Sequence, residues 1–319
     1  MRHLTIAAFA AAAFAGAGAS AQGTYPDHTI RIIVPFTAGS ATDAVARMVG
    51  QHITEVTKQP VIVDNKPGGG GNIGADAAAK APPDGYTIFV STNTTHAANV
   101  HLFKKLSYDP DKDFIPVAPI GKGPLLFVVA PNSPARSVAD FTALAKAQPG
   151  KLTFASGSSS SRAAVELYTQ MAGIQMLHVP YKSNPPAVTD LVGGQVQMMI
   201  ADPTTLLPQI KAGKLKALAT SGLKRASYAP ELPTIAEGLP GYEMVAWFGA
   251  WVPAKTPDAI VKRLEGLVHG AVVSPKNESF WKIQGYEPFP GTGADLAKWQ
   301  RQETEKWGKI VRTAGIEPE

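Results

Sequence analysis

Cysteine is missing altogether from these 319 residues. That excludes disulfides, thiol nucleophiles and thiolate metal sites, and it excludes a lipid anchor attached to an N-terminal cysteine. After the N-terminal stretch, no segment approaches the ~18 consecutive apolar residues of a membrane span. Charged residues make up only 17% of the chain, and they are scattered. No basic stripe with interleaved aromatics appears, which argues against nucleic acid as a partner. Catalytic signatures are lacking as well: there is no G-x-S-x-G elbow and no H-E-x-x-H. The histidines are dispersed, and His96 with His101 lacks the spacing of a metal pair on one helix face. Neither a catalytic set, a metal site nor a cofactor is expected.

What is present begins with a leader. Arg2 and His3 precede an alanine-rich apolar run that ends in Ala19-Ser20-Ala21 before Gln22. This is the pattern of a secretory signal peptide, residues 1–21, with cleavage expected after Ala21. The 30 basic and 25 acidic residues give +5, and removal of Arg2 with the leader leaves +4. A mild excess of this kind suits a small anionic ligand. An exported chain of this length without disulfides relies on its core for stability, and the length suggests two domains.

The stretch around which the chain is organised runs from Arg31 to Val56. Ile30 to Val34 forms a short buried strand, Pro35 to Asp43 a turn of small residues, and a helix follows. Val45, Met48, Val49, Ile53 and Val56 make its apolar face. A strand, a tight loop and a helix N-terminus aim several backbone N–H groups at one point, and the macrodipole adds partial positive charge there. Ser40 or Thr42 can cap the helix, and Gly39 permits close approach of a ligand. An ordinary βα turn has the same outline. The stretch is neither a P-loop nor a dinucleotide fingerprint.

Strand-like and helix-like segments then alternate. Gly68 to Gly71 suits a close-packed backbone turn better than a phosphate cradle, since no Lys-Ser/Thr follows it. Thr92, Asn93 and His96 belong to a polar cluster at a strand's carboxyl end, where open α/β sheets bind ligands; helix capping is the competing role. Phe114 to Ala130 looks like two consecutive strands crossing into a second domain. There the theme repeats: strand 151–155, a loop from Ser156 through Ser161, a helix from Arg162 to Met171, and Asp202 just past a later strand. Trp247 and Trp251 lie on one face of a returning strand, which fits hinge or core packing. The last helix is amphipathic through Leu296, Trp299, Trp307, Ile310 and Val311 and is expected to pack on the first domain.

Along nearly its whole mature length the chain resembles a known family. Val34 to Gly39 with Asp43, Asn65-Lys66-Pro67-Gly68-Gly69 and Pro83-Asp84-Gly85-Tyr86-Thr87 carry the first part. His178 to Lys182, Asp190 to Val196 and Leu232 to Glu237 carry the second. These motifs are similar to those of the Bug family, periplasmic solute-binding proteins of tripartite tricarboxylate transporters. The resemblance implies an α/β fold of the type II periplasmic binding class: two lobes, each a mostly parallel sheet flanked by helices, joined by two crossing strands. On that reading, residues 22–124 with 246–319 form lobe 1 and residues 125–245 form lobe 2. It implies a periplasmic monomer that binds a small carboxylate and meets the membrane subunits of the transporter.

The same resemblance places ligand contacts on Phe36, Thr37, Ala38, Gly39, Ser40 and Asp43, and on Thr92, Asn93 and His96. In the second lobe it places them on Ser156, Gly157, Ser158, Ser159, Arg162, Tyr181 and Asp202. Two departures stand out: Ser40 replaces a usual second glycine, and Arg162 stands where His is common. A guanidinium offers a planar fork for a carboxylate. Its alternative role is a pair with Glu166 one turn along, for about 0.3 kcal/mol. Asp43 and Asp202 are expected to orient the loops rather than to hold an ammonium, which favours organic or aromatic carboxylates, terephthalate among them, over amino acids. Two other functions compete: a sensor presenting its ligand to a membrane receptor, and a secreted hydrolase using Ser158 to Ser161.

Overall fold

The computed structural model describes residues 25–318. The leader and its cleavage point therefore lie outside the described residues. The chain opens with β1 (Ile30–Val34), α1 (Ala41–Thr57), β2 (Val61–Asn65), α2 (Asn72–Ala79) and β3 (Thr87–Thr92). A π-turn over Thr94–Ala98 runs into α3 (Asn99–Leu102), and β4 (Phe114–Pro124) follows. Next come β5 (Leu126–Val129), α4 (Val138–Ala147), β6 (Thr153–Ser156), α5 (Ser159–Ala172), β7 (Leu177–Pro180), α6 (Asn184–Val192), β8 (Met198–Ala201), α7 (Pro203–Lys211) and β9 (Lys216–Thr220). The chain returns through β10 (Val245–Pro253) to α8 (Asp258–Val273), α9 (Glu278–Gln284), β11 (Glu287–Pro288) and α10 (Gly293–Thr313).

Two sheets result, in the orders β11-β4-β10-β3-β1-β2 and β7-β6-β8-β5-β9. Both are mixed rather than mostly parallel. The βα units give parallel neighbours, β2 and β3 beside β1 and β7 and β8 beside β6. The strands at the crossings run the other way: β10 is antiparallel to β3 and β4, and β5 to β8 and β9. No helical crossover precedes them to turn the chain around, so direction there follows from the path between lobes.

Local chemistry explains the elements. Buried Ile30, Ile32, Ile33 and Val34 meet Val45, Met48, Val49 and Ile53 of α1, whereas Val56 is 51% exposed. Val56 lies in the last turn of a 17-residue helix and stays in water. Gly68 to Gly71 all have positive φ, and a Cβ on Gly71 would stand 2.9 Å from Thr95 Cγ2. The run is thus a close-packed turn, as its composition suggests. Trp247 and Trp251 are fully buried, and their indole N–H groups donate to Glu303 and Gln300 of α10, each at 3.1 Å. That fixes the last helix on the first lobe. Among the described residues no helix is long and apolar enough to cross a membrane.

Candidate functional site

The first-lobe loop is held by one carboxylate. Asp43 accepts from the Gly39 amide, from Arg47 at both oxygens and from Asn65, each at 3.0 Å. Burial works to raise its pKa, but these donors outweigh it, Arg47 first, and hold the carboxyl below its ordinary value. Asn65 also donates to the Phe36 carbonyl at 3.0 Å, tying β2 to the loop. Ser40 caps α1 by accepting from the Asp43 amide at 3.2 Å. Asp43 is therefore an organiser of the loop. Ala38 and Gly39 are exposed, whereas Thr37 is half-buried with its hydroxyl oxygen out of contact with solvent.

The polar cluster after β3 runs into the π-turn, and it reaches α5 of the second sheet's layer. Ser160 donates to Asn93 Oδ1 at 3.1 Å, which leaves the Thr94 hydroxyl to donate to Ser160 at 2.9 Å. Ser159 donates to Asn99 Oδ1 at 2.8 Å. His96 is elsewhere: it stacks on Trp251 with centroids 3.7 Å apart, fully buried. Burial pushes its pKa down to about 3. A neutral core histidine cannot supply a cation to a ligand, so its placement at the site is corrected.

The serine run, expected as a loop, forms the first turn of α5. Ser158 caps the helix, accepting from the Ser161 amide at 3.1 Å, and Ser161 donates to the Ile200 carbonyl at 2.7 Å. Serine hydroxyls that serve as cap and tether make a stable first turn. All four, Ser158 to Ser161, are thus engaged in holding the fold or the lobe contact. Gly157 presses on the start of α6 and donates to Asn184 Oδ1 at 3.1 Å. Asn184 in turn donates to Asp202 Oδ2 at 2.6 Å, and Tyr286 donates to Asp202 Oδ1 at 2.6 Å. Tyr286, 84 residues along the chain between α9 and β11, thereby ties the segment after β10 to the loop before α7. Burial raises the Asp202 pKa, only partly offset by these two donors.

Between the lobes lies a narrow cavity of about 20 Å3, room for about one water molecule. It is lined by Phe36, Ser40 and Thr42 from α1 and its loop, by Thr92, Asn93 and Thr94, and by Gly157, Ser158, Ser160 and Ser161 at α5. Ser183 and Asn184 at α6, Asp202 at α7, and Leu125, Ala201 and Ala246 complete it. The N-terminal ends of α1, the π-turn, α5, α6 and α7 therefore converge on one space, and no Lys or Arg lines it. Helix N-terminal dipoles and hydroxyl donors are thus the groups there that favour an anion, beside the Asp202 carboxyl.

Of the residues expected from the sequence, Phe36, Ser40, Thr92, Asn93, Gly157, Ser158 and Asp202 meet at this cavity. Ser156, Ser159, Arg162 and Tyr181 line a separate outer recess of about 90 Å3, which shares Ser158 with the cavity. There Arg162 Nε contacts Glu166 at 2.8 Å with its side chain 21% exposed, so the pairing alternative is the one realised. Tyr181 donates to Asp190 at 2.6 Å. Thr42, expected as a helix cap, and Thr94, Ser160 and Ser161, expected within their polar segments, also line the cavity. Ser183 and Asn184 carry no sequence motif of their own; their place at a helix start is the one local signal that marks them.

A two-sheet α/β chain with helix N-termini facing each other across a cleft is a two-lobed binding protein. A model described as tripartite tricarboxylate transporter family receptor matches residues 45–316. The chain belongs to this TctC family of periplasmic solute-binding receptors, which are binding proteins and not enzymes. It is 34% identical to the protein BugT of Bordetella pertussis (strain Tohama I) over 97% of this chain and 96% of that protein. The structure described as R. palustris Rpa4515 with adipate superposes with a TM-score of 0.90 at 35% identity, covering 92% of this chain and all of that one (100%). MatC (Rpa3494) from Rhodopseudomonas palustris with bound malate gives 0.86 at 31% identity, covering 90% and 100%.

Proposed function

We propose that this chain captures a small organic carboxylate between its lobes in the periplasm and, as a monomer, delivers it to the membrane subunits of a tripartite tricarboxylate transporter. The observation that carries the proposal is the convergence of helix N-termini and hydroxyls from both lobes on one cavity without a lining cation. Backbone amides and hydroxyls suit carboxylate oxygens, and apolar Phe36, Leu125 and Ala246 suit a hydrocarbon body. Relatives described with adipate and with malate support the ligand class. The contacts proposed are those at the cavity; Asp43 and Asp202 act as loop organisers, and Arg162 as a helix-surface partner of Glu166. Titration calorimetry against mono-, di- and tricarboxylates, terephthalate included, tests the reading. At least one is expected to bind with micromolar affinity, and a panel with no dissociation constant below about 1 mM would overturn it.

A further inference from the structure

Ser183 carries a hydroxyl that the fold does not use. It is 0% exposed, its Oγ has no hydrogen-bond partner, and it lines the interlobe cavity. It occupies the N-cap position of α6 yet makes no side-chain cap bond. Other hydroxyls around the same space have partners within the fold: Ser40 and Ser158 accept amide protons as caps, while Ser160 donates to Asn93 and Ser161 to a carbonyl. The end of α6 is also poor in amide donors, because Pro185 and Pro186 in its first turn have no N–H. A directional hydroxyl stands where other helices present several amides.

The position is rigid. A Cβ on Gly157 would lie 2.1 Å from both the Ser183 carbonyl carbon and the Asn184 nitrogen, so the α5 and α6 loops touch backbone to backbone. The Gly157 amide, Asn184, Asp202 and Tyr286 then hold that contact through consecutive hydrogen bonds. A buried, unpaired hydroxyl held this firmly costs the fold free energy unless something entering the cavity meets it.

We propose that Ser183 is the specificity-determining donor of the cleft, bonding a second acceptor oxygen of the ligand beyond its first carboxylate. A lone donor suits one oxygen, whereas the amide-rich starts of α1 and α5 suit a whole carboxylate. The ligand class is accordingly a dicarboxylate, or a carboxylate with a second oxygen substituent, and the inference rests on the carboxylate-binding reading above.

The experiment compares wild type and Ser183→Ala by titration calorimetry on matched pairs: adipate with hexanoate, malate with butyrate, and terephthalate with benzoate. Wild type is expected to prefer the doubly substituted member of the pair it binds. Ser183→Ala is expected to lose about tenfold in affinity for that member and little for its partner, with an unfolding midpoint no lower than wild type. Unchanged affinities would overturn the proposal, since water would then satisfy the hydroxyl. Equal losses for both members, or a lowered midpoint with equal losses, would make Ser183 a loop-shaping residue and overturn it equally. If wild type binds no member of any pair, the carboxylate reading of the cleft falls and Ser183 falls with it; binding by wild type with an unaffected Ala variant removes only the Ser183 assignment.

Discussion

Arg162 shows how far a side chain's chemistry depends on its neighbours. A guanidinium at the start of α5 has the fork a carboxylate ligand needs, but Glu166 one turn along already contacts it at 2.8 Å. Its recess is also separate from the interlobe cavity, sharing Ser158 alone with it. Arg162→Ala is therefore expected to change the ligand's dissociation constant by less than about threefold. A direct charge-assisted contact would instead cost ~1.5–3 kcal/mol, roughly ten- to more than a hundredfold, so calorimetry separates the two outcomes cleanly. The two buried aspartates make the same point in opposite directions. Asp43 sits among Arg47, Asn65 and an amide and keeps a lowered pKa, whereas Asp202 has only the uncharged donors Tyr286 and Asn184, and its desolvation prevails.

At the level of elements, the site is a set of helix starts locked against one another. Gly157 is the contact point between the starts of α5 and α6. Its φ is not in the left-handed region, so the requirement is space and not backbone freedom. A methyl there would overlap the Ser183–Asn184 backbone at 2.1 Å, and no rotamer change relieves a backbone clash. Gly157→Ala is expected to destabilise the protein by about 1–3 kcal/mol in denaturant unfolding. Ligand affinity should fall with it, because Ser158 and Asn184 flank the displaced segment. A variant with wild-type midpoint and affinity would show that the two loops are not mechanically joined.

For the whole molecule, the hydroxyl contacts across the cleft are individually weak ties between the lobes. Ser159 to Asn99, Ser160 to Asn93 and Thr94 to Ser160 are neutral hydrogen bonds, each worth about 0.5–1.5 kcal/mol net. Opening the lobes would exchange them for bonds to water, so a ligand touching both lobes has an equilibrium it can shift. Small-angle scattering is expected to give a smaller radius of gyration at saturating ligand than without it. An identical radius in both conditions would mean that the lobes do not move on binding.

How much of this was legible beforehand follows from the range of the interactions involved. The pattern in Ile30 to Val34, the apolar face of α1, the small-residue turn at Pro35 to Asp43 and the glycine turn at Gly68 to Gly71 are local. Periodicity, capping and φ preference act within a turn or two, so the sequence by itself determined these elements. Its family motifs likewise pointed to a carboxylate cleft. Only the tertiary structure decided the antiparallel course of β10 and β5, the stacking of His96 on Trp251, and the reach of Tyr286 to Asp202 across 84 positions. It also decided that Ser183, one serine among many in the chain, would face the cavity with an unused hydroxyl. Such contacts depend on which surfaces meet once the lobes are packed, and no residue's immediate neighbours in sequence carry that information.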